Sequence, residues 1–185
     1  METIKKIDLP LNEEIVKSLK AGDNVLLTGE LYTGRDAAHK RLIEALDRGE
    51  ELPMPIENQT IYYVGPAPAK PGEVIGSAGP TTSYRMDDLT LPLLKRGLRG
   101  MIGKGQRADK VVEGMKTYGA VYFAAIGGAG ALIANTIVEK EIVAYEDLGA
   151  EAIHRLVVKD FPAIVVIDSD GNNLYRTERE KYRGV

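Results

Sequence analysis

The stretch Gly79-Pro80-Thr81-Thr82-Ser83-Tyr84-Arg85-Met86-Asp87 packs a turn, three consecutive hydroxyls, a guanidinium and a carboxylate into nine residues. Hydroxyls both donate and accept hydrogen bonds, and a guanidinium offers paired donors that match a carboxylate. Such a loop suits a small anionic substrate. Two other segments carry complementary chemistry. In Tyr32-Thr33-Gly34-Arg35-Asp36-Ala37-Ala38-His39, Gly34 permits close backbone approach and Arg35 falls in the first turn of a predicted helix. Free backbone N–H groups and the positive end of the helix dipole favour an anion there. In Gly103-Lys104-Gly105, a lysine between two glycines at a strand end projects a positive charge with little steric obstruction.

Each segment also has a plainer reading. Arg35 and Arg85 read equally as surface residues paired with acidic neighbours. Thr81, Thr82 and Ser83 read as partners for turn or helix-start N–H groups, and Asp87 and Asp88 as structural first-turn carboxylates. Gly103-Lys104-Gly105 lacks the Gly-x-x-x-x-Gly-Lys-Ser/Thr spacing of a phosphate-binding loop. The run Gly127-Gly128-Ala129-Gly130-Ala131 is not a full dinucleotide fingerprint and reads as a tight strand-to-helix turn. His39 sits one helical turn from Arg35 and reads as a packing or supporting residue. His154, in a predicted strand, reads as structural.

The elements that must position these residues are mixed. Residues 4–11 alternate partly, as an edge strand does. Residues 24–32 read as a buried strand running toward a glycine turn. A helix follows, with Thr33 as N-cap, Asp36 as a capping-box analogue, Ala38, Leu42, Ile43 and Leu46 on one face, and Gly49 as stop. Residues 60–64 and 74–75 read as short strands. They are separated by a loop stiffened by Pro66, Pro68 and Pro71. Thr90 is expected to cap a short helix with Pro92 in its first turn and Gly97 past its end. Residues 108–118 have helical spacing, 120–126 form a strand, and 129–137 a helix. Strands at 153–158 and 163–168 precede a Ser-Asp-Gly-Asn turn into Leu174-Tyr175, an antiparallel finish. The pattern predicts an α/β fold on a mixed sheet.

The chain of 185 residues suits one domain spanning 1–185. It is 44% hydrophobic and 28% charged with a net charge of −3, the balance of a globular protein without a basic face for nucleic acid. It has no cysteine, so this chain alone carries no thiolate nucleophile, disulfide or cysteine-ligated iron. Two histidines are too few for a typical histidine-rich metal site. The longest apolar stretch, 120–135, is interrupted by glycines and too short for a bilayer. With a charged N-terminus, the expected location is cytoplasmic.

Taken in order, Thr33 to His39, Gly79-Pro80-Thr81-Thr82 with Arg85-Met86-Asp87, and Gly103-Lys104-Gly105 resemble the iron–sulfur class I fumarate hydratases. The resemblance is to their C-terminal domain, a separate β subunit in many members. Residues 120–131 and 158–163 match the same style, and L-tartrate dehydratase β subunits share the pattern. The resemblance implies a swivelling β/β/α fold and an α subunit partner in an α2β2 assembly. It implies that the partner holds a [4Fe–4S] cluster through three cysteines, which this chain does not ligate. It implies a site between subunits for a dicarboxylate such as fumarate or malate. There Arg35, Arg85 and Lys104 bind substrate and Thr81 is the base at carbon. L-Tartrate dehydratase and a non-catalytic carboxylate-binding module are the rival readings.

Overall fold

The computed structural model describes residues 3–125 and 130–183. β1 (Ile4–Asp8) is an edge strand paired in parallel with β2 (Asn24–Thr33). Between them lies α1 (Glu13–Ser18), capped by Asn12, whose Oδ1 accepts the Ile15 N–H at 2.8 Å. β3 (Thr60–Tyr62), β4 (Gly100–Gly103) and β5 (Val121–Ala125) continue the parallel sheet. Parallel neighbours require crossovers. α2 (Asp36–Asp47), α3 (Asp87–Lys95) and α4 (Asp109–Tyr118) supply them. After α5 (Gly130–Asn135), β6 (Ile137–Ala144) pairs antiparallel with the long β7 (Ile153–Ile167). β7 also pairs antiparallel with both β5 and β2, which closes β2, β3, β4, β5 and β7 into a ring.

Alternate strand residues point to opposite faces, so the sheet feeds two cores. One gathers Leu27, Leu31, Tyr62, Ile102, Phe123, Phe161 and Val165. The other sets Ile61, Tyr63, Met101 and Tyr122 against Leu42, Leu93, Leu94, Val111 and Met115 of the crossover helices. β3 and β4 are buried along their whole length, as strands covered on both faces must be.

Several local expectations are corrected. Thr33 does not cap α2. It ends β2, and its hydroxyl accepts the His154 N–H at 3.0 Å, which leaves Arg35 at the cap position without a side-chain cap bond. Thr90 lies inside α3, because a 3-10 turn at Ser83–Met86 leads directly into the helix; its Oγ1 donates to the Met86 carbonyl at 2.7 Å. Residues 74–75 form no strand. The two strands expected at 153–158 and 163–168 are one, bent at Asp160, where φ is +53° and Thr28 Oγ1 accepts the Asp160 N–H at 3.0 Å. Leu174-Tyr175 begins α6 (Leu174–Arg183) rather than a hairpin strand. Asp168 closes the turn by accepting the Asp170 and Asn172 N–H groups, and Asn173 Oδ1 then caps the Tyr175 N–H at 3.0 Å. In the turn read at 127–131, residues 127–129 lie outside the described residues, as does the expected helix start at 129.

Candidate functional site

The three chemistry-bearing segments meet at the carboxyl ends of β2, β3 and β4. After β2, Gly34 donates its N–H to the Tyr62 carbonyl at 3.1 Å. One residue past the end of β3, the Tyr63 carbonyl accepts the Thr81 N–H at 2.7 Å. Thr81 and Thr82 then run beside the end of β4. The Thr81 carbonyl accepts the Lys104 N–H at 3.3 Å, and the Lys104 carbonyl accepts the Ser83 N–H at 2.9 Å. Thr82 and Lys104 thereby form an isolated parallel bridge. The carboxyl ends of parallel strands are where open α/β sheets bind ligands, because loops and helix starts there offer unpaired N–H groups.

The side chains on this face differ in how they are engaged. Thr81 and Thr82 are half-buried and Lys104 is exposed. Arg85 binds Asp36, its Nε at 2.9 Å and its Nη2 at 2.7 Å from Oδ2. The Arg35 side chain, 26% exposed, lies with Nε 3.7 Å from Glu151 Oε1, too long for a hydrogen bond. A Cβ on Gly65 would lie 2.8 Å from Arg35 Nη1, so the glycine leaves room for the guanidinium. Arg35 Nε and Asp36 Oδ1 are both buried without a hydrogen-bond partner among the described residues. No carboxylate among the described residues lies within ion-pair distance of Lys104. The surface-pair reading is thus realised for Arg85. Exposed pairs contribute only about 0–1 kcal/mol, so a better-placed carboxylate can displace them.

Beneath this face lies a buried polar layer that sequence reasoning missed. Arg107 is fully buried and pairs with Asp87, Nε to Oδ1 at 2.7 Å. Its Nη2 donates to Tyr63 Oη and Thr90 Oγ1, both at 3.2 Å, and its guanidinium stacks over the Tyr63 and Tyr122 rings. Asp87 Oδ2 also accepts the Ala108 N–H at 2.7 Å, at the start of α4. One signal was present. A cation just before a helix start opposes the dipole unless an acid answers it, and Arg107 precedes α4 by two residues. Above this layer, Ser83 Oγ meets Tyr122 Oη at 2.8 Å. His39 is fully buried, its Nδ1 2.8 Å from the Arg35 carbonyl and its ring edge-on to Tyr63. That carbonyl can only accept, so Nδ1 carries the proton. Burial lowers the His39 pKa to about 4, which keeps the ring neutral. His154 is buried in β7, its Nδ1 3.3 Å from Thr33 Oγ1.

Cavities of about 400 Å³ and 580 Å³ lie elsewhere, beside Arg41 and Tyr145 and between the 67–77 loop and α5. The face carrying Arg35, Thr81, Arg85 and Lys104 lines neither. This chain does not suit a metal cluster: it has no cysteine, and the described residues contain no group of three or more potential ligands.

Residues 1–178 match the family described as Fumarase C-terminus. The chain is 41% identical over 152 residues to the aerobic class I fumarate hydratase of Salmonella typhimurium, covering 81% of this chain and 26% of that protein. It is 39% identical over 177 residues to the anaerobic class I fumarate hydratase of Escherichia coli, covering 92% of this chain and 32% of the relative. The chain therefore spans about a quarter to a third of the length of these two relatives. It is 40% identical over 177 residues to a provisionally named L(+)-tartrate dehydratase subunit beta of Methanocaldococcus jannaschii, covering 92% of this chain and 91% of that one. The chain belongs to the Fumarase C-terminus family.

Proposed function

We propose that this chain, as one domain over residues 1–185, is the β component of a cytoplasmic hydro-lyase that interconverts fumarate and L-malate. The observation that carries the proposal is the meeting of three distant segments at the carboxyl ends of β2, β3 and β4. Backbone contacts there join Gly34, the threonine pair and Lys104, and Arg85 reaches Asp36 beside Arg35. On this reading the [4Fe–4S] cluster belongs to an α subunit in an α2β2 assembly, and the dicarboxylate binds between the two components. The chain has no cysteine, and its described residues contain no group of three or more potential ligands, so on this reading its own contribution is binding, orientation and proton transfer.

Dehydration of malate removes a proton from the carbon beside one carboxylate and a hydroxide from the next carbon; hydration reverses both. Proton removal builds negative charge on the adjacent carboxylate. Arg35, Arg85 and Lys104 are the groups that would hold the two carboxylates and stabilise that charge. Thr81 is assigned as the base at carbon. A free alcohol is a weak base, so its alkoxide must be favoured by neighbouring cations in a site kept from bulk water. The backbone of Thr81 is held on both sides, by Tyr63 and by Lys104, which fixes where its side chain leaves the main chain.

L-Tartrate is the second substrate reading, favoured by the Methanocaldococcus jannaschii relative, which matches over nearly its whole length. Co-expression with the α component and anaerobic assay of malate against L-tartrate separates the two. The reading expects kcat/KM for malate to be at least tenfold higher. The reverse ratio assigns the chain to tartrate, and no turnover of either leaves only a carboxylate-binding module.

A further inference from the structure

We infer that the Tyr122 hydroxyl is a positioning group: it ties the threonine loop and the lysine loop to one point on β5, and so adds a buried side-chain tie to the backbone contact between Thr81 and Lys104. The inference rests on the hydro-lyase reading above. Tyr122 is fully buried near the start of β5, and Ser83 is fully buried one residue beyond Thr82. Ser83 Oγ lies 2.8 Å from Tyr122 Oη, and Tyr122 Oη lies 2.8 Å from the Gly105 carbonyl. A carbonyl only accepts, so the single phenol proton goes to Gly105 and Ser83 donates to the phenol oxygen. The result is a directed relay from Ser83 through Tyr122 to Gly105, with one loop at each end.

The surroundings keep this relay in one geometry. The Gly105 N–H donates to Tyr175 Oη at 3.1 Å, so a tyrosine hydroxyl holds each side of that residue. A Cβ on Gly103 would overlap Ser83 Oγ, which shows how closely the serine is packed against the end of β4. Burial raises the Tyr122 phenol above its ordinary range, so it remains a donor across the working pH. Neither Arg35 nor Arg85 is attached to the relay; Arg85 is held by Asp36 instead.

The relay joins the base loop to the Lys104 loop and leaves the two arginines to hold the carboxylates, so its loss is expected mainly in kcat, where base placement and stabilisation of the developing charge act. Misplacement of a reacting group by about 1 Å costs about a hundredfold in rate. Tyr122→Phe, which keeps the ring, is expected to lower kcat of the assembled complex about 10- to 100-fold with KM changed less than about threefold. Ser83→Ala, a variant of smaller volume change, is expected to give a similar loss. The double variant is expected to be no worse than Tyr122→Phe alone, since both cut one relay. Circular dichroism and complex yield are measured alongside. Wild-type kcat in either folded variant, or losses that multiply in the double variant, would overturn the positioning role. Wild-type complex and Thr81→Ala are run together. An inactive wild-type complex defeats the hydro-lyase reading and the inference with it. An active wild type with a dead Thr81→Ala and an unaffected Tyr122→Phe defeats the inference alone.

Discussion

Asp87→Ala should be among the most destabilising single substitutions in this chain. The Arg107 side chain has no solvent exposure, and Asp87 is its carboxylate partner at 2.7 Å. Removing Asp87 leaves a buried guanidinium without its counter-charge, which costs about 3–5 kcal/mol. It also removes the acceptor of the Ala108 N–H at the start of α4, a loss of about 1 kcal/mol. Folded domains have a total stability of about 5–15 kcal/mol, so the loss is a large fraction of it. With a urea slope of about 2 kcal/mol per molar, the midpoint should fall by about 2–3 M. The assay is urea unfolding of the isolated chain at pH 7, followed by far-ultraviolet circular dichroism. Asp87→Ala/Arg107→Met removes the stranded charge and should recover part of the loss despite deleting a second side chain. A midpoint shift below about 0.5 M, or a double variant no more stable than the single, would refute the reasoning.

Three further outcomes follow from the same geometry. Gly103→Ala places a Cβ against Ser83 Oγ and 2.8 Å from Tyr63 Cδ2, and should destabilise by about 1–3 kcal/mol; an unchanged melting temperature counts against that packing. His39 is neutral in the fold, with its pKa near 4 against about 6.5 when unfolded, so the unfolded state takes up the proton first as pH falls. Its contribution is therefore intact above about pH 6.5 and lost progressively toward pH 4. The drop from pH 8 to pH 5 should be on the order of 2 kcal/mol larger in wild type than in His39→Gln, read from urea midpoints at both pH values. Equal drops would show that His39 is not the buried neutral group described. Arg35→Lys keeps the charge but loses the paired donors, and in the complex should raise KM about tenfold or more; unchanged KM and kcat would remove Arg35 from the substrate.

Much of the scaffold is legible because its residues repeat at clear periods. The strand that stops before Gly34, the amphipathic helix after it, and the α4–Gly119–β5 unit all read directly from apolar spacing and glycine stops. The corrections fall where a side chain decides between local alternatives. Asn173 turns a hairpin signal into a helix start, Thr28 holds the Asp160 bend within one strand, and Thr33 serves the β7 backbone instead of α2. The site segments stood out because hydroxyls, cations and glycines cluster in them. Their convergence depends on strand order, which spacing alone does not encode. The layer below was hidden for a different reason. Tyr63 and Tyr122 look like core aromatics, and Arg107 like one more surface charge, until the fold buries all three together.

The central claim is that this chain supplies the base and the cationic face of a hydro-lyase site completed by a cluster-bearing partner. The most direct measurement is anaerobic fumarate hydration by three preparations side by side: the assembled complex, the purified iron-free chain, and the complex carrying Thr81→Ala. The account expects turnover in the first only, with Thr81→Ala still assembled by size-exclusion chromatography. Turnover by the iron-free chain alone, or near-normal kcat in the assembled Thr81→Ala complex, would contradict it.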